Sequence, residues 1–196
     1  MKHLILLVCM VAFTACKAQQ KDTTMTVEKF DIENYHKNED KSFGNYYFQL
    51  PNGVKVVQSK VGDEYSQRET PPSPATFETY KRFHPNGILK FQGEMYINNG
   101  DWQKGVWKYY DEEGKLIKEV NYDKPYIFDW DDVMSYISKN NIGLQDKNTR
   151  IRRDNDPDHP KWYIEWRKEF GRRETVTLDG KTGKVLDTGW YPHEDN

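Results

Sequence analysis

Two turn sequences set 27 residues apart constrain this chain more than any other feature. "HPNG" at 84–87 and "DEEG" at 111–114 each sit between runs rich in aromatic and β-branched residues, and Phe83 and Gly87 are echoed at Tyr110 and Gly114. A glycine that tolerates positive φ, between two alternating runs, closes a β-hairpin. One such hairpin is local, but its repetition predicts a sheet built by adding hairpins. The flanking runs fit this. In "ILKFQGEMYI" the apolar Leu89, Phe91, Met95 and Ile97 alternate with Lys90, Gln92 and Glu94, the period-2 pattern of a strand. A further Asn-Gly turn at Pro51-Asn52-Gly53, between "NYYFQL" and "VKVVQ", predicts an earlier hairpin.

The rest of the chain divides by composition. The first sixteen residues, "MKHLILLVCMVAFTAC", have a short basic start at Lys2 and His3. A ten-residue apolar run, Leu4 to Phe13, follows, then small residues before Cys16. Such a run is half of the roughly 20 residues that cross a bilayer, so it predicts an export signal rather than an anchor helix. The arrangement resembles a bacterial lipoprotein signal, although Phe13 stands where a leucine is usual. That resemblance implies cleavage ahead of Cys16, lipidation of Cys16 with palmitate among its acyl chains, and attachment to the cell envelope, at the outer membrane. Cys9 and Cys16 are the two cysteines. The mature chain is therefore expected to have no thiol for a disulfide, a metal or a nucleophile. A net charge of −2 argues against nucleic acid as a partner.

The expected divisions are a signal at 1–15, a polar tether at 16–45, a hairpin and Pro-rich connector at 46–76, hairpin repeats at 77–125, and an α+β module at 126–196. In the module, "DWDDVMSYISKN" places Trp130, Val133, Met134 and Ile137 on one helical face. Asp129 is positioned as N-cap, Phe128 and Val133 as a staple, and Gly143 just past the end. Strands are expected in "TRIRR", "KWYIEW", "RRETVTL" and "KVLDTG". The predicted fold class is mainly β with a small α+β part: antiparallel hairpin repeats, then a helix packed on a short antiparallel sheet.

Residues 80–123 resemble the MORN-repeat-variant pattern of YwqK-type antitoxin-like proteins. Phe83, Asn86, Gly87, Gly93, Tyr96, Gly105, Trp107, Tyr110, Gly114 and Tyr122 occupy the positions that carry it. The helix, the "WYIEW" strand and "LDGKTGKVL" resemble a PepSY domain. Both resemblances imply binding to other proteins in the envelope rather than catalysis, with a toxin as one possible partner and no cofactor. Trp102, Trp107, Tyr109 and Tyr110 are the expected contact residues, because Tyr and Trp bury large areas at little entropic cost. The same aromatics could stack on sugar rings of a cell-wall or surface glycan, and a hydrolase using unmarked carboxylates is the remaining class.

Two further candidates come from charge. Asp154, Asp156, Asp158 and Glu165 have the 1, 3, 5 and 12 spacing of a calcium loop, but His159 stands where that loop needs Gly. Arg150, Arg152, Arg153, Arg167, Lys168, Arg172 and Arg173 form a basic patch if their strands pair, or a solvated face balanced by neighbouring acids.

Overall fold

The computed structural model describes residues 27–97, 102–144, 149–154 and 156–192. Seven antiparallel strands lie in chain order in one sheet: β1 (Asn45–Gln49), β2 (Lys55–Val61), β3 (Glu64–Thr70), β4 (Phe77–Phe83), β5 (Leu89–Tyr96), β6 (Gln103–Tyr110) and β7 (Leu116–Asn121). A helix, α1 (Ile32–Asn38), precedes them. A second helix, α2 (Trp130–Lys139), leads to a four-stranded antiparallel sheet of β8 (Arg150–Arg153), β9 (Lys161–Glu169), β10 (Arg172–Asp179) and β11 (Val185–Pro192), again in chain order. The predicted fold class is the one observed.

The repeated turns close in the same way. The His84 amide donates to the Ile88 carbonyl (2.8 Å) and the Gly87 amide to the His84 carbonyl (2.9 Å); Asp111 with Lys115 and Gly114 with Asp111 repeat both bonds at 3.0 Å. Gly87 and Gly114 have φ of 81° and 84°, a region that costs an L side chain free energy. Leu50, Val54 and Gly53 form this turn a third time, with φ 85° at Gly53. Beyond the turn both later hairpins carry the same bulge. Phe83 pairs with Leu89 while Arg82 pairs with Phe91, and Tyr110 pairs with Leu116 while Tyr109 pairs with Lys118. One extra residue reverses facing, so Leu89 and Phe91, expected on one face by simple alternation, lie on opposite faces.

Two expectations about the N-terminal part are corrected and one strand is added. Residues 27–45 are not all tether: Asp31 caps α1 by accepting from the Asn34 amide (2.9 Å), and Tyr35 is fully buried. The Tyr35 hydroxyl donates to the Gly44 carbonyl (2.6 Å) and accepts from the Lys60 amide (3.1 Å). Strand β3 forms without having been foreseen. The Pro-rich stretch at 70–77 is no domain boundary, because β3 and β4 pair directly across it. The helix expected from 129 onward does form, with a capping box between Asp129 and Asp132. Its exit uses Asn141 at φ 55° rather than Gly143. Ile142 and Asn141 donate back to the carbonyls of Ile137 and Ser138 (3.0 and 3.1 Å), and both isoleucines are buried, as a Schellman end requires.

Two cores result. Phe30, Tyr35, Tyr65, Phe83 and Leu89 pack between α1 and the turn end of the large sheet. The larger core joins the sheets: Tyr96 and Trp102 meet Val133 and Ile137 of α2 and Trp162, Ile164, Val176 and Leu178 of the second sheet. Arg153 is held at this junction, its guanidinium 4.5 Å from the centre of the Trp102 ring and 4.7 Å from that of Tyr126, with Asp123 at 2.8 Å. Burial lowers the Arg153 pKa against the opposing pull of Asp123.

Candidate binding face

Register places Arg82, Phe91, Tyr109 and Lys118 in a row across β4 to β7, with Tyr80 opposite Gly93 and Trp107 opposite Val120 in the next. None of these side chains belongs to either core, so this face looks away from both helices. Gly93 is what allows the aromatics to pack. A Cβ there would stand 2.3 Å from Trp107 Nε1, and the indole lies in the space left by its absence. Trp107 is consequently 2% exposed, and its N–H donates to the Glu94 carbonyl (3.1 Å).

Around this buried indole lies a half-exposed aromatic layer. Ring centres are separated by 6.0 Å for Tyr80 and Phe91, 5.7 Å for Phe91 and Tyr109, and 6.1 Å for Trp107 and Tyr122. The Tyr109 and Tyr122 hydroxyls share a hydrogen bond of 2.9 Å. Burial, and then this bond, raises the Tyr109 phenol above its ordinary pKa, so it stays neutral at physiological pH. Cations frame the layer: Arg68 stands 5.2 Å from the Tyr80 ring and Lys118 5.5 Å from the Tyr109 ring. Glu64 binds both Arg82 and Lys90 at the margin. Beside Tyr122 the face runs into a groove of about 280 Å³, lined by Val120, Pro125, Tyr126 and Pro157 among others.

Of the four expected contact residues, two are corrected outright. Trp102 and Trp107 are 5% and 2% exposed, one stacked on Tyr96 in the junction core and the other seated over Gly93. Tyr110 is half-buried on the opposite face against the α1 core, where its carbonyl lies 3.1 Å from His84 Nε2. Tyr109 alone stands in the open aromatic layer. Tyr80, Phe91 and Tyr122 were missed. Strand alternation hinted at them, but the bulges decide which face each takes.

The charged candidates separate. Asp154 accepts from the Lys161 amide (3.1 Å) and Tyr163 hydroxyl (3.2 Å), and Asp156 from the amides of Asp158 and His159. Asp158 is exposed in this loop, whereas Glu165 lies within β9, 2.9 Å from Arg173. No group of three or more His, Cys, Asp or Glu able to hold a metal occurs among the described residues. The basic patch is internally balanced by glutamates. Arg172 pairs with Glu174 at 2.6 Å and Arg150 approaches Glu165 at 4.0 Å, while Arg153 is withdrawn into the junction. Cys16 and the signal lie outside the described residues.

A family model of the MORN repeat variant matches residues 79–98 and 103–124. These are the two hairpins that carry the aromatic face. The repeat is of a binding type rather than a catalytic one. No curated protein and no solved structure matches the chain.

Proposed function

We propose that this chain is a non-enzymatic lipoprotein of the bacterial envelope that binds another protein through the aromatic face of its repeat sheet. One observation carries the reading: Tyr80, Phe91, Tyr109 and Tyr122 form a half-exposed layer, rimmed by Arg68 and Lys118, on a face neither helix covers. It lies within the segment matched by a binding-type repeat. Rigid aromatics and arginine are the side chains that dominate protein interfaces. The resemblance to antitoxin-like proteins makes a toxin the specific partner and this chain its immunity factor. The PepSY-like module, α2 on its four-stranded sheet, packs against the repeats through the shared core and extends the protein-binding reading. Lipidation at Cys16 holds the complex at the outer membrane.

Affinity capture from envelope extract tests this, with the mature chain as bait and a Tyr80→Ala, Tyr109→Ala double variant as control. Circular dichroism establishes that the control is folded. The expected result is one protein retained by the native bait and lost with the variant. Retention unaffected by the variant, or an empty eluate, overturns the reading. Binding to purified cell wall instead would assign the face to glycan. Cys16→Ala should abolish palmitate incorporation; unchanged labelling would remove the anchor from the proposal.

A further inference from the structure

The repeat ends abruptly, and its end leaves a template. In the first hairpin the outer edge of β5 is covered by β6, Gln103–Tyr110. One period of 27 residues later, β7 stands where β5 stood, and the next covering strand would fall at 130–137. Those residues form α2 instead. Among the described residues no strand pairs with the outer edge of β7, and its residues are exposed except for half-buried Val120. Ile117 is 63% exposed. The Tyr122 amide bonds inward to Gly105 (2.9 Å) and the Asn121 carbonyl accepts from the Lys124 amide (3.4 Å), so by strand alternation the groups left pointing outward are the amide and carbonyl of Glu119 and the amide of Asn121. An unpaired row of this kind is a docking template for an extended segment.

From this edge we infer that the partner engages by adding a strand to β7, antiparallel, with an apolar side chain entering the groove beside Tyr122 and Pro125. This rests on the protein-binding reading above and specifies its geometry. A second copy of this chain is disfavoured as occupant. A two-fold axis centred on β7 opposes Lys118 to Lys118, or Glu119 to Glu119, and like charges directly opposite are destabilising. A copy of the repeat strand itself is also disfavoured, since Val120 fills the position that Gly93 leaves open for an indole. The fitting segment is a partner strand with a basic residue opposite Glu119, an acidic one opposite Lys118, an aliphatic one opposite Val120, and a large apolar one at the groove.

The probe is a synthetic peptide, acetyl-LTVKEVT-amide, titrated into the full mature chain and followed by NMR amide shifts and hydrogen exchange. Strand addition predicts shifts and slowed exchange at Glu119 and Asn121. Affinity should fall about tenfold for acetyl-LTVEKVT-amide, and the preference should invert in the Lys118→Glu, Glu119→Lys variant. Glu119→Pro removes an outward N–H that the sheet does not use, so it should keep the fold and weaken the peptide about tenfold. Absence of β7 protection, or equal affinity for both peptides, overturns the inference. If the protein captured above is lost with the aromatic double variant but held by Glu119→Pro, the binding reading stands and strand addition is overturned.

Discussion

The hairpins β4–β5 and β6–β7 have the same turn, the same bulge and the same spacing, yet they occupy opposite situations. In the first, Phe83 is fully buried and Leu89 is 2% exposed; their counterparts in the second are half-buried Tyr110 and 43% exposed Leu116. Both strands of the first hairpin have neighbours on either side, whereas β7 has one among the described residues. Repetition therefore fixes backbone geometry, but burial comes from what lies alongside. The second copy has traded core packing for an accessible edge and face.

This contrast is breakable by substitution. The largest difference should come from the paired aromatics: Phe83→Ala is expected to cost about 4 kcal/mol and Tyr110→Ala about 1–2 kcal/mol. Equal losses in denaturant unfolding would show that the two hairpins are buried alike. Next come Gly93 and its counterpart Val120. Gly93→Ala must displace a rigid indole from 2.3 Å and should cost about 2–3 kcal/mol, against about 1 kcal/mol for Val120→Ala. The Gly93 variant should also change the near-ultraviolet signal of Trp107, which a mere propensity effect would leave alone.

The turns should behave alike, since their cost lies in the backbone. Gly87→Ala and Gly114→Ala are each expected to lose about 1–2 kcal/mol, because φ is 81° and 84°. A loss confined to Gly87, whose Cβ would press to 3.0 Å from the Phe30 carbonyl, would mean that packing rather than φ sets it. The smallest effect concerns pH. Burial pushes the Glu64 carboxyl upward, but hydrogen bonds from Lys90 and Arg82 outweigh this and hold it below its ordinary value. A depressed pKa contributes stability above the unfolded value of about 4.3, and that contribution is lost as pH falls through the folded value. The stability gap between the native chain and Glu64→Gln should therefore shrink on acidification. The second copy has Tyr109 and Ile117 where the first has Arg82 and Lys90, so this dependence belongs to the first hairpin alone.

Much of the architecture was legible. Turn glycines, alternating strands and the acidic N-cap of α2 act over a few residues, and local sequence specifies them. Helix α1 was not, because its seven residues bury a single side chain, Tyr35, which is too little for a helical period to register. Strand β3, "EYSQRET", was equally silent: its inward positions include Gln67, which bonds Gln58 and Glu69 at 2.6 Å, and polar residues that satisfy one another in a sheet read as loop. The candidate face was legible only in kind. Aromatic abundance near Trp107 announced it, but the bulges at Lys90 and Ile117, and the missing Cβ at Gly93, determine which rings are sunk and which are offered.

By itself the sequence determined the hairpin period, the turn geometry, the extent of α2 and the antiparallel class, all consequences of backbone preference and alternation within short windows. The tertiary structure alone decided that Trp102 lies in the junction core and Trp107 is sunk over Gly93, that Tyr80, Phe91, Tyr109 and Tyr122 share the other face, and that β7 is an edge strand among the described residues. Those outcomes depend on contacts between segments distant in the chain, where one absent methyl group or one extra residue in a strand redirects every side chain beyond it.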